Sequence, residues 1–142
     1  MPIKSFRGLM TDNTQDTISL HTNNGSTGYR VAKFQLMDNS PGASSSESII
    51  KIYSVPQTAS TTLVDFSDQT LLAVGYNALN ASGWYYADSV IFDNMTFNQD
   101  IYLTYKTDAG SGPCNYYIEL EQVKLDLNEN TVATLKDMRN LS

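Results

Sequence analysis

Histidine and cysteine occur once each in the 142 residues, at His21 and Cys114. A zinc site needs three or four nitrogen or sulfur ligands, which one of each cannot supply. A Ser-His-Asp triad would have to use His21, and no serine sits in a G-x-S-x-G turn. His21 instead falls on the polar side of an alternating segment. A single thiol forms no disulfide within the chain and points to synthesis in a reducing compartment. Cys114 follows Gly112-Pro113 with no base close in sequence, so a small, buried, apolar residue is expected there.

Positive charge is also scarce. Lys and Arg total 9 against 15 Asp and Glu, a net charge of −6. The cations, Lys4, Arg7, Arg30, Lys33, Lys51, Lys106, Lys124, Lys136 and Arg139, form no run. Nucleic-acid binding needs a basic stripe to neutralise phosphates, and an anionic membrane surface needs the same, so neither partner is expected. No apolar run approaches the roughly 18 residues of a spanning helix. The opening "MPIKSFRGLMTDN" lacks the apolar stretch of about 7–15 residues that marks a signal peptide. Charged residues make up only 17% of the chain, against about 25% in ordinary soluble domains. Many small polar groups and few charges suit a packed assembly.

The acids do not form a catalytic pattern. Asp65, Asp68, Asp88, Asp93 and Asp100 are scattered, and no D-x-D-x-D-G calcium loop is present. Glu119 and Glu121 fall on one side of a strand, about 7 Å apart by strand geometry, as on any solvated face. No cofactor, metal or catalytic residue is assigned, and a non-enzymatic chain is expected.

What is present is period-two alternation. In "DTISLHT", Ile18 and Leu20 oppose Thr17, Ser19 and His21; "NNGSTG" supplies a turn, and "YRVAKFQLM" (29–37) returns. This predicts a hairpin. "DNSPGASSSE" (38–47) reads as a polar surface loop, and "SIIKIYSV" (48–55) as a strand ended by Pro56. "LVDF", "TLLAVGY" and "YADSVIFD" follow as strands. "IYLTYKT" (101–107) and "CNYYIELEQVKLDL" (114–127), joined by "DAGSGP", predict a second hairpin. In that last strand Tyr116, Ile118 and Leu120 are apolar at even positions, whereas Val123, Leu125 and Leu127 are apolar at odd ones. The flip predicts a β-bulge near Glu121-Gln122, or a second half that leaves the sheet for another surface. The tail beyond 127 has two readings: β-branched Thr131, Val132 and Thr134 favour an extended segment, whereas the spacing of Val132, Leu135 and Met138 permits a short helix. Short strands with little helix predict one all-β domain over 1–142, an antiparallel β-sandwich of jelly-roll type.

The only Trp lies in "GWYYADSVIFD" (83–93). Alternation puts Trp84 and Tyr86 on one side and Tyr85 on the other. They are expected as core and contact surface, with Trp84 and Tyr86 inward and Tyr85 at a rim; the competing reading is an exposed aromatic platform for a sugar ring. The nine Tyr residues fit subunit contacts, where Tyr and Trp are enriched. The contact residues proposed from sequence are Trp84, Tyr85, Tyr86, Tyr102, Tyr117, Val123, Leu125, Leu127 and Leu135.

The region from Ser82 to Asn140, above all "CNYYIELEQVKLDLNENTVATLKD", resembles small virion structural proteins of tailed phages of marine bacteria. The resemblance implies an all-β, non-enzymatic virion protein made in the host cytoplasm, most simply a capsid decoration (cement) protein. Such a protein binds the outer shell, contacts the major capsid protein or other virion proteins, and forms an oligomer, with a trimer favoured. Segments 1–10 and 128–142 are then the expected interaction arms. The alternative is a tail- or fibre-associated module that binds a glycan or receptor. The resemblance carries over no site residues.

Overall fold

The computed structural model describes residues 2–20, 26–40, 46–79, 84–92, 95–107 and 112–125. His21, Leu127, Leu135 and the arm expected at 128–142 lie outside these. Eight strands are present: β1 (Ile3–Met10), β2 (Thr14–Ile18), β3 (Thr27–Asp38), β4 (Ser46–Tyr53), β5 (Leu71–Leu79), β6 (Tyr85–Ile91), β7 (Ile101–Lys106) and β8 (Cys114–Lys124). They form a three-stranded sheet, β1-β8-β3, packed on a five-stranded sheet, β2-β7-β4-β5-β6. Every pairing is antiparallel. The expected β-sandwich is therefore the fold. β1 pairs with β8 and β2 with β7, so early strands nest against late ones in reverse order, the winding of a jelly roll.

This winding removes both predicted hairpins. β2 pairs with β7, and β3 with β8, so "DTISLHT" and "YRVAKFQLM" lie in different sheets. β7 and β8 are likewise separated, each at the interior of its own sheet. Alternation identifies a strand with one buried face but does not name its neighbour. Here the turns carry the chain across the sandwich instead of back along the same sheet. The segment 1–10, expected as an arm, supplies β1 at the edge of the smaller sheet.

The core lies between the sheets. Phe34, Ile50, Ile52, Leu103, Tyr105, Ile118 and Leu120 are all essentially inaccessible. β4 and β5 are buried on both faces, which accounts for the near-continuous apolar run "LLAVG". Part of their outer face, around Lys51, is covered by the connection 54–70. Lys51, on that face, donates to Thr61 Oγ1 at 3.2 Å and to the carbonyl of Leu63. Burial lowers the lysine's pKa, and Asp68 works in the opposite direction. "LVDF", expected as a strand, lies in this connection and has no strand structure. Leu63, Val64 and Phe66 there are exposed.

The bulge is present, but in β3. Val31 faces Leu120 and Lys33 faces Glu119, so Ala32 is the extra residue. It shifts the inward set from Tyr29 and Val31 to Phe34 and Leu36. β8 itself stays in register with β3 through Lys124. Its parity flip therefore places Val123, half-buried, on the opposite face from Leu120, while Leu125 is 3% exposed and packs over Gly28. Leu125 is thus satisfied within the chain and is not a free contact residue.

At one end of the sandwich a polar clasp joins the sheets. Asp38 of β3 accepts hydrogen bonds from Ser46 and Ser48 of β4. Ser48 Oγ lies 3.2 Å from the Tyr105 hydroxyl, which donates to the carbonyl of Gly112 at 2.7 Å. Cys114 is buried beside this clasp, as the sequence predicts. Burial, then the carboxylate of Asp38, pushes its thiol up to about 12. A thiol so placed is protonated and shielded at pH 8. Labelling by a disulfide-exchange reagent is expected only after denaturant is added; prompt labelling of the native chain would contradict the packing.

Candidate functional site: the aromatic edge

β6 closes one side of the five-stranded sheet, paired with β5 alone among the described strands. Tyr85 through Val90 are all exposed, on both faces of the strand. The five-stranded sheet is wider than its three-stranded partner; the inner side of its last strand looks across an open cleft at β3, and its outer side carries no layer among the described residues. That places "GWYYADSVIFD" outside the core. Trp84 is 55%, Tyr85 55% and Tyr86 42% exposed. The expectation that Trp84 and Tyr86 point inward is corrected. Their apolar character suggests a core, but both lie on the outer side of the sheet, where no described layer covers them.

The alternation within the stretch holds. Trp84 and Tyr86 lie on the outer side, their rings 5.8 Å apart and within 6° of parallel. Tyr76 of β5 joins them, its ring 5.9 Å from that of Tyr86. Each phenol is tied to a carboxylate. Tyr76 donates to Glu47 Oε2 at 2.8 Å, and Tyr86 donates to Asp88 Oδ2 at 3.1 Å. These hydrogen bonds, led in each case by the side-chain bond itself, raise both phenol pKa values above the usual tyrosine range. The phenols thus stay neutral and fixed in orientation.

Beneath β6 is an open cleft of about 510 Å³, lined by Phe34, Leu36, Tyr76, Tyr85, Asp88 and Tyr116 among others. Its floor depends on Gly75. A Cβ at Gly75 would lie 2.2 Å from Leu36 Cδ1, so the absent side chain lets Leu36 cross to the other sheet. Among the described residues no lysine or arginine lines the cleft. It is suited to a neutral surface with apolar and hydroxyl groups, and not to a phosphate.

A second apolar patch adjoins the far end of β6. Phe92 follows the strand, and Phe66 packs edge-on against it with ring centroids 5.2 Å apart. Exposed Leu63 and Val64 lie in the same connection. Trp84, Tyr86, Val90, Phe92 and Phe66 therefore mark a strip along the edge, about 26 Å from residue 84 to 92 at the usual strand rise.

The other contact residues proposed from sequence are dispersed. Tyr102 is half-buried on the outer face of β7, and Tyr117 is half-buried on β8, where its hydroxyl donates to Glu119 Oε2 at 2.7 Å. Val123 lies further along β8. Tyr117 also lines the cleft beneath β6, whereas Tyr102 and Val123 do not. Sequence reasoning missed Tyr76, Glu47 and Phe66. Tyr76 follows a strongly apolar run and has no local mark of exposure, whereas the neighbouring "QTASTT" and Pro56 do mark the Phe66 region as a connection. Among the described residues no cluster of His, Cys, Asp and Glu is arranged to hold a metal ion. No protein-family model matches the chain, and a search of curated proteins finds no match.

Proposed function

We propose that this chain is a non-enzymatic structural protein of a phage particle, a decoration protein that binds the outer shell and bridges capsomers. The observation that carries this reading is the exposed apolar strip along β6 and into the Phe66 loop. A soluble monomer rarely exposes a long contiguous apolar surface, and one set on a rigid strand marks a contact with another protein. The strip is long enough to touch two neighbours. Many copies of a modest contact sum to a large stabilisation of a shell, because each second contact is intramolecular.

A second reading is a tail- or fibre-associated module for a neutral glycan. The cleft under β6, with its tyrosines and without cations, favours it. Aromatic faces stack on the CH faces of sugars, and carboxylates and amides orient hydroxyls.

Quantitative mass spectrometry of purified particles, against the major capsid protein, separates the two. Hundreds of copies in a simple ratio to the capsid subunit are expected for decoration. A few to a few tens would mark a tail or fibre part. Glycan titration would then follow the fluorescence of Trp84, the only tryptophan. Absence from the particle would overturn both.

A further inference from the structure

A β-sandwich of two open sheets has four edge strands, and each exposes backbone groups that another strand can pair with. In this chain the edges are β1, β3, β2 and β6. Three of them carry features that oppose such pairing. β1 carries Lys4 and Arg7. β3 is broken by the bulge at Ala32, followed by Lys33, and its start is bridged through Tyr29 to Phe97. β2 is five residues long. Asp16 sits on its inward side, opposite Leu103, and burial raises the pKa of its carboxyl. The connection 54–70 also reaches β2, where Ser60 Oγ donates to the Thr14 carbonyl at 2.9 Å and Gln57 N–H donates to Gln15 Oε1 at 2.7 Å.

β6 has none of these. "YYADSVI" contains no proline and no lysine, pairs with β5 without a register shift, and is exposed from Tyr85 to Val90, with Ile91 packed against the core. Its one charge is Asp88. Among the described residues, β6 is thus an unprotected edge beside three protected ones, a surface open to a further strand.

We infer that the β6 edge pairs with the β6 edge of a second copy of this chain, antiparallel about a two-fold axis at Ala87, giving one continuous ten-stranded sheet. The sequence selects both occupant and register. If the outer faces of the two sheets are to stay on one side, opposed residues must share a face, so the axis passes through a residue and not between two. An axis at Asp88 sets two carboxylates directly opposite, which is destabilising. Axes at Tyr86 or Ser89 shorten the overlap of 84–91. An axis at Ala87 sets the Tyr86 phenol opposite Asp88 of the second copy, Tyr85 opposite Ser89, and Trp84 opposite Val90. The Tyr86–Asp88 hydrogen-bonded pair of one copy then faces the same pair of the other, Tyr85 meets a hydroxyl, and apolar meets apolar at Trp84 and Val90. The two clefts beneath β6 then lie side by side under the joined sheet.

The test needs only the purified chain. Sedimentation equilibrium is expected to give twice the 15.7 kDa of one chain. Ala87→Glu sets like charges face to face at the axis and should yield a monomer with unchanged circular dichroism and melting temperature. Residues directly opposed in antiparallel strands have Cα atoms about 4.5–5.5 Å apart, inside the range of about 4.4–6.8 Å that a disulfide spans. With oxidised glutathione as oxidant, Ala87→Cys should therefore form a covalent dimer in high yield. Val90→Cys should not, because in this register its thiols lie about 20 Å apart at the usual strand rise. A monomeric wild type at high concentration, a trimer, a dimer that survives Ala87→Glu, or equal cross-linking of the two cysteine variants would each overturn the proposal. A trimer would indicate a head-to-tail contact of β6 with a different edge.

Discussion

Phe34→Ala is expected to destabilise the fold by about 3–5 kcal/mol, the range for a fully enclosed phenylalanine. Phe34 is 1% exposed and sits on β3 just beyond the bulge, where the strand has re-registered so that its side chain faces the core. It reaches towards Gly75 on the opposite sheet; a Cβ there would stand 3.0 Å from its ring. The ring thus shares with Leu36 the gap that a glycine leaves. The same truncation removes contact between the sheets at the point where the cleft begins. Urea unfolding should show a lower midpoint with little change in slope. A loss below about 1 kcal/mol would mean that the core relaxes freely around the site.

Trp84→Ala combined with Tyr86→Ala is expected to do the opposite: leave the fold intact and weaken attachment to the particle. Both rings are exposed and stacked on each other, so their loss opens no cavity in the core. Large aromatic residues at the centre of a contact commonly contribute at least about 2 kcal/mol, roughly thirtyfold in affinity. Binding of the purified variant to shells stripped of the native protein, followed by co-sedimentation, reads the effect. Unchanged attachment with a lowered melting temperature would return these rings to a structural role. Loss of a fluorescence response to glycans, with attachment intact, would favour the sugar-binding reading.

Much of the architecture is legible in the sequence, and the failures share a cause. Alternation in "IYLTYK" and "CNYYIEL" locates β7 and β8 because each buries one face. It does not reveal that they belong to different sheets, since pairing is decided by contacts distant in sequence. The apolar residues of "WYYADSVI" resemble those of a core strand. Trp84 and Tyr86 are in solvent because they fall on the outer side of an edge strand, and Tyr85 because it faces an open cleft; both are properties of the assembled fold. The parity change in β8 is visible at Val123, whereas the bulge lies on its partner at Ala32. There a small residue beside Lys33 gives little sign of the irregularity. Of the candidate site, the aromatic pair and its opposed Tyr85 could be read from period two. The contributions of Tyr76, Glu47 and Phe66 could not, because they come from β4, β5 and a connection brought alongside by tertiary packing.

The nested pairing has a consequence for how the chain acquires its structure. Ile3 is paired with Glu121, and Ile18 with Ile101. β8 separates β1 from β3, so neither of those strands has a hydrogen-bonded neighbour in its sheet until β8 arrives. Few local contacts can form early, which predicts folding on the slow side, in about milliseconds to seconds. On the ribosome, where about 5–20 residues are added per second, strands β1 to β6 emerge before the two that complete their sheets. For roughly a second or more, the edge richest in aromatic residues is in solution without a folded body behind it. A chaperone that shields "WYYADSVI" during that interval should raise the yield of folded chain.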